Sequence, residues 1–288
     1  MTLGIFARTF PRPSLAETLD AVAATGLRTM QFNVALADPG VFSEDVGAAV
    51  RARGLTMAAV SGTCNLAHPN EAVRAEGARW LAGVIAAAPA LGTRVVTLCT
   101  GTRDAEDMWR RHPGNGTPEA WRDMRASVAA AVAVAEAHGV TLAFEPERAN
   151  VVDSAAAARR LLDEIASPHL KVVLDPANLV GDLDRQADTL RDAFALLGGD
   201  LALAHAKDVR RDGSFAAAGR GALDFELYLA LLGEAVPLIL HGLGENEVAG
   251  SVTFLRALRP SPACGAPPAA PASPGTLGPR AAAQGGGP

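Results

Sequence analysis

The chain lacks the features that mark several large functional classes. It has only three cysteines, Cys64, Cys99 and Cys264, and they form neither a CxxC motif nor an even framework. Reduced thiols in a cytoplasmic protein are therefore expected, rather than a disulfide scaffold. Basic excess is missing too. The net charge is −5 and the Lys and Arg residues are scattered, which argues against a nucleic-acid partner. No run of about 18 apolar residues escapes a charge, Gly or Pro, so no transmembrane helix and no membrane partner is expected. The opening MTLGIFARTFPRPS has no basic segment leading into a sustained apolar one, so no signal peptide is expected. A Walker loop, a GxGxxG after a strand and a GxSxG are all absent, which removes support for nucleotide cofactors and for serine hydrolysis.

What is present is a large apolar fraction, 49% of 288 residues, enough for one α/β barrel of roughly 250 residues. Short apolar runs over 3–10, 29–35, 56–61, 94–100, 141–146, 170–175, 201–208 and 237–241 read as strands. Helical stretches separate them. The first opens on the capping box Ser14-Leu-Ala-Glu17 and ends at Gly26; others cover 43–53, 71–90, 117–138, 154–166, 185–197, 224–235 and 245–258. Pro89 is expected to interrupt the third. Eight strands alternating with eight helices predict a single (β/α)8 TIM barrel of the α/β class over 1–259. Residues 260–288 are rich in Pro, Ala and Gly with no periodic apolar face, and predict a disordered tail.

The segment LALAHAKDVRR, 201–211, begins apolar and turns polar, as a barrel strand approaching an active site does. Alternation places Leu201, Leu203, His205 and Lys207 on one face. Glu145, Asp175, His205 and His241 fall near the C-terminal ends of strands five to eight, about 30 residues apart, one βα unit per step. Any one of them reads as a helix cap or a satisfied core group; four on successive strands make a candidate metal site. Carboxylates with imidazoles suit Mn²⁺, Mg²⁺, Zn²⁺ or Fe²⁺ without choosing among them.

Candidate substrate-binding residues come from the loops. Asn65 and His68 follow strand three, and Arg103, Trp109 and His112 lie in the long connection GTRDAEDMWRRHPGNG, a candidate lid. Lys207, Arg211 and Arg220 are candidate partners for an anionic group, and solvated charges are the alternative for each. GRGALDF reads as a turn leading to the cap Asp224, and Glu245 as the cap of the last helix.

LAFEPE, LDPAN, HAKD and GRGALDF together resemble the sugar-phosphate isomerase/epimerase superfamily with a xylose-isomerase-like TIM barrel, in element order from about Leu3 to Leu258. The resemblance implies a metal held by Glu, Asp, His and Glu from the last four strands, with Glu145, Asp175 and His205 matching the first three. His241 stands where the second Glu is expected, and Asn178 where an Asp-x-x-His pattern has His. The implied activity is metal-dependent isomerisation or epimerisation of a sugar, sugar phosphate or cyclitol, with dehydration of a cyclitol ketone as a variant. A base would take the proton beside a metal-polarised carbonyl. Glu145 is then ligand and base, Glu147 a second base, and His241 a ligand or proton donor. A metabolite-binding barrel with degraded catalysis is the alternative that His241 and Asn178 raise. An endonuclease-like barrel is a further one, which six histidines and an acidic chain disfavour. The expected partners are a small carbohydrate-like molecule and, as a further candidate, a second copy of the chain in a homo-oligomer.

Overall fold

A computed structural model describes residues 1–33 and 44–258. The end of the expected second strand, the start of the helix after it, Cys264 and the proposed tail lie outside the described residues. The strands are β1 (Leu3–Phe6), β2 (Thr29–Asn33), β3 (Thr56–Ser61), β4 (Val95–Cys99), β5 (Thr141–Glu145), β6 (Leu170–Leu174), β7 (Leu201–Val209), β8 (Phe215–Ala217) and β9 (Leu238–Leu240). All but β8 pair in parallel, in the order β6-β5-β4-β3-β2-β1-β9-β7. A β6–β7 pairing closes the ring, so the expected eight-stranded barrel is present. Its helices are α1 (Leu15–Ala24), α2 (Glu44–Ala52), α3 (Glu71–Leu91), α4 (Pro118–His138), α5 (Ala155–Ile165), α6 (Pro176–Leu179), α7 (Gln186–Leu197), α8 (Phe225–Leu232) and α9 (Val248–Ala257).

Period-two alternation divides each strand between two cores. Residues such as Phe144, Val172, Leu174, Ala204 and Ala206 pack outward into the large core under the helices. The residues between them face the axis, and a separate cluster of Phe6, Ala59, Ala143, Val173, Leu203 and Ile239 plugs the barrel. Two residues further on, the same face becomes polar, with Ser61, Glu145 and His205 on their strands and Asp175 and His241 just past the ends of theirs. The barrel thus has an apolar floor and a polar layer above it.

Local signals work as the sequence implies. Ser14 and Glu17 form the reciprocal capping box, and Gly139 ends α4 at φ +60°. Pro89 does not interrupt α3, which continues to Leu91; in the last turn a proline forfeits one backbone bond near an end already losing them. The first strand ends at Phe6, and Ala7–Thr9 turn away in a 3-10 helix. Two elements were not expected, the short helix α6 and the strand β8, which pairs antiparallel with the end of β7 through Lys207, Asp208 and Val209.

Asp208 explains why the GRGALDF stretch is ordered. Its carboxylate accepts from the backbone N–H groups of Val209 (2.8 Å), Gly219 (3.1 Å), Gly221 (2.9 Å) and Leu223 (3.1 Å). Gly221 permits that approach, because a Cβ there would sit 2.2 Å from Asp208 Oδ1. Tyr228 on α8 performs a similar service deeper in the fold. Its hydroxyl donates to the carbonyls of Leu174 (3.0 Å) and His205 (3.1 Å), tying α8 to the two strands that carry Asp175 and His205.

Asp208→Ala leaves four buried or half-buried N–H groups without their acceptor. Its unfolding free energy in urea should fall by about 3 kcal/mol or more. Tyr228→Phe removes one hydroxyl shared by two carbonyls and should cost about 1–2 kcal/mol in the same measurement.

Candidate active site

The strand register delivers Glu145 from β5, Asp175 from the end of β6, His205 from β7 and His241 from the end of β9 to one level of the barrel. All are at least nine-tenths buried. His205 Nδ1 lies 3.4 Å from Glu145 Oε2 and 3.7 Å from Asp175 Oδ2, and His241 Nδ1 lies 3.6 Å from the same Asp175 oxygen. His205 Nδ1 and His241 Nδ1 are buried and hydrogen-bonded to nothing, and Asp175 Oδ2 is met only by the Lys207 ammonium. These separations are long for hydrogen bonds. They match donors sharing one ion, since two ligands at about 2.1 Å and a tetrahedral angle lie about 3.4 Å apart. The side chains present therefore fit a divalent cation.

The outer nitrogens of the two imidazoles have different partners. His205 Nε2 faces Gln31 Oε1 at 2.9 Å, and the Gln31 amide in turn donates to Thr97 Oγ1 at 3.0 Å. An acceptor on Nε2 puts the proton there and leaves the Nδ1 lone pair of neutral His205 turned toward the carboxylates, the arrangement metal-bound histidines use. His241 Nε2 meets the Arg8 guanidinium, which can only donate. Neutral His241 then carries its proton on Nδ1, the nitrogen that faces Asp175. Glu145 and Asp175 thus present lone pairs to the centre, as does His205 once its Nδ1 proton leaves, whereas His241 presents an N–H while Arg8 holds it.

Lys207 also enters this layer. Its ammonium donates to Asn178 Oδ1 at 2.6 Å and pairs with Asp175 Oδ2 at 3.1 Å, 4.1 Å from the centroid of the Phe215 ring. Asn178 in turn donates to Glu145 Oε1 at 2.5 Å. Burial pushes the Asp175 carboxyl up, but Lys207 and then His205 and His241 outweigh it and hold Asp175 well below the usual carboxylate range. Burial also opposes ionisation of Glu145, and His205 overcomes it and keeps this carboxyl low. His205 shows the converse. Burial favours its neutral form, yet Glu145 and Asp175 raise its pKa to about 9. His241, desolvated and beside His205, falls to about 4. Burial, then the Glu145 charge, lifts Glu147 to about 7.

Above this layer lies a cavity of about 500 Å³, whose walls include Gln31, Glu145, Glu147, His205, Lys207 and His241. Trp109 also borders it, half exposed on the long loop after β4. The other expected substrate-binding residues do not. Asn65 binds the loop after β4 through the Thr102 N–H (3.0 Å) and carbonyl (2.9 Å). His68 is engaged by the Ala105 carbonyl (3.2 Å) and the Asn70 N–H (3.0 Å). Arg103 pairs with Asp123 at 2.8 Å. Arg211 is exposed in a separate cleft, 3.7 Å from Asp184. In each case the loop's own backbone or a nearby carboxylate claims the polar group. Arg8, Gln31, Arg148 and Phe215 border the cavity and were missed by sequence reasoning. Only Gln31 left a signal, as an amide among the buried residues of TMQFN.

Cys99 faces this cavity as well, its thiol donating to Glu147 Oε1 at 3.0 Å. Burial, and then the charge of Glu147, drives it well above the ordinary thiol range, and burial lifts Cys64 to about 12. Both should resist a thiol-specific disulfide reagent at pH 8 in the folded protein and react once urea unfolds it. Asp175→Ala would strand the Lys207 ammonium, 5% exposed, without its counter-ion, and should cost about 3–5 kcal/mol in urea unfolding. Arg211→Ala, which breaks an exposed pair, should change stability by about 0.5 kcal/mol or less.

No curated protein matches the sequence. Solved structures similar to it include the apo form of 3-keto-D-glucoside 4-epimerase from E. coli, at 19% identity and TM-score 0.69, covering 89% of this chain and 99% of that one. A D-tagatose 3-epimerase-like protein aligns at 16% identity and TM-score 0.74, covering 90% and 97%. The IolI protein with a bound zinc atom aligns at 15% identity and TM-score 0.67, covering 90% and 96%. At these identities the likeness establishes the fold. A family model described as xylose isomerase-like TIM barrel matches residues 19–240, most of the chain. The chain belongs to the xylose isomerase-like TIM barrel family.

Proposed function

We propose that this chain is a metal-dependent isomerase or epimerase of a small carbohydrate-like ketone, moving a proton at the carbon next to a carbonyl. The observation that carries this reading is the convergence of Asp175 Oδ2 and the buried, unpartnered His205 Nδ1 with Glu145 under a polar cavity. Sugar epimerases among the similar structures support the same direction, as does the zinc bound by IolI. When bound, a divalent ion such as Mn²⁺, Mg²⁺ or Zn²⁺ supplies polarisation of the carbonyl oxygen.

Glu145, Asp175 and His205 would hold that ion, and Gln31 keeps the His205 ring in the ligating tautomer. Glu147 is the better-placed base, since its pKa of about 7 lets it take and return a proton near neutral pH. Cys99 and Asn150 fix the Glu147 carboxylate, and Glu145 is committed to Asn178 and His205. His241, with Nδ1–H toward Asp175 and Nε2 on Arg8, steadies Asp175 and serves as a ligand only when Arg8 withdraws. A second reading, ligand binding without turnover, is favoured by Lys207, whose ammonium already pairs with Asp175.

Two measurements test the proposal. Elemental analysis after Mn²⁺ loading should find about one ion per wild-type chain and much less in His205→Ala; Gln31→Ala should weaken binding by about 10–100-fold. Incubation with ketoses in D₂O should place solvent deuterium next to the carbonyl of at least one, and Glu147→Gln should abolish it. Metal-free protein under saturating Mn²⁺, with no exchange in any ketose, would contradict it. Tight ketose binding without exchange would select the second reading.

A further inference from the structure

We propose that the cavity recognises a ketose bearing an anionic group, a carboxylate or a phosphate ester, through Arg8 and Arg148. The inference rests on the isomerase or epimerase reading above and adds to it a substrate class.

Arg8 follows β1 and Arg148 follows β5, strands four places apart in a ring of eight, so the two enter the cavity from opposite sides of its rim. Both residues are exposed, and each lies against a neighbour. The Arg8 guanidinium sits 4.6 Å from the centroid of the Phe6 ring and donates to His241 Nε2. Arg148 lies across Gly181, where a Cβ would come within 2.9 Å of its Nη1 and 3.5 Å of its Cδ. An aromatic face, an imidazole and a glycine position these side chains without neutralising them. Among the described residues no carboxylate pairs with either.

The surrounding cations differ. Arg103 has Asp123 at 2.8 Å, Arg110 has Asp104 at 2.6 Å, and Lys207 has Asp175 at 3.1 Å. The carboxylates that border the cavity are already engaged, Glu145 by Asn178 and His205, Glu147 by Cys99 and Asn150. The mouth therefore carries two guanidinium charges with no carboxylate counter-ion among the described residues. A neutral sugar leaves them so, while a carboxylate or phosphate accepts charge-assisted, two-pronged hydrogen bonds from the unused N–H groups of either fork. The anion-binding role for which the sequence offers Lys207, Arg211 and Arg220 falls in this reading to Arg8 and Arg148.

The test is calorimetric titration of the full chain at low salt with D-fructose, D-fructose 6-phosphate and 5-keto-D-gluconate. One anionic ketose should bind about tenfold or more tightly than D-fructose, with the margin shrinking as NaCl is added. Which one wins separates phosphate from carboxylate. Arg148→Gln should erase most of that margin and leave D-fructose binding unchanged; Arg8→Gln, which also releases His241, is read by the margin alone and should shrink it, while Arg8→Lys, which keeps the charge, should retain part of it. Thermal melts matching wild type establish that the variants fold. Equal affinity for all three probes, no binding of any of them, or variants that weaken all three alike would overturn the inference. An arginine-dependent margin without deuterium exchange in any ketose would uphold the anion site and defeat the isomerase reading.

Discussion

Two carboxylates, two imidazoles and an ammonium share one layer of the barrel interior, where none of them is freely hydrated. Such a layer persists only if its charges are matched within it, because a buried charge without a partner costs several kcal/mol. The matching is visible in the contacts: Lys207 against Asp175, His205 between Glu145 and Asp175, and Asn178 bridging Lys207 to Glu145. The imperfection in it carries equal weight. The donors around His205 stand too far apart to hydrogen-bond to one another, and Nδ1 is left with no partner. That spacing makes a cation at this point the natural completion of the layer.

The layer depends on parts of the chain remote from it. Tyr228 fixes the relation of β6 to β7, Gln31 reaches from β2 to set the His205 tautomer, and Asp208 gathers the loop that follows β8. Tyr228 and Asp208 act from outside the cavity and Gln31 from its wall, each through backbone or ring orientation.

Much of this was legible in the sequence. Alternating apolar runs and helical segments gave the barrel, and the βα spacing of Glu145, Asp175, His205 and His241 gave the level at which they meet. Both follow from periodicity, which is a local property. The role of His241 was not legible, because it depends on Arg8, 233 residues away in the chain. Three of the loop residues lie off the cavity for a related reason. Asn65, His68 and Arg103 are polar because the loops they hold together expose backbone groups, and sequence shows the polarity without the partner. Strand β8 was hidden because what orders it is antiparallel pairing with the end of β7, not a pattern of its own.

The central claim is that Glu145, Asp175 and His205 hold one divalent ion, with His241 kept from it by Arg8. Anomalous diffraction from crystals soaked in Mn²⁺ tests it most directly. The account predicts one strong peak at bonding distance from Glu145, Asp175 and His205 Nδ1, with Lys207 turned away from Asp175 and His241 still hydrogen-bonded to Arg8. No peak at this position, with Lys207 Nζ remaining against Asp175, would contradict it.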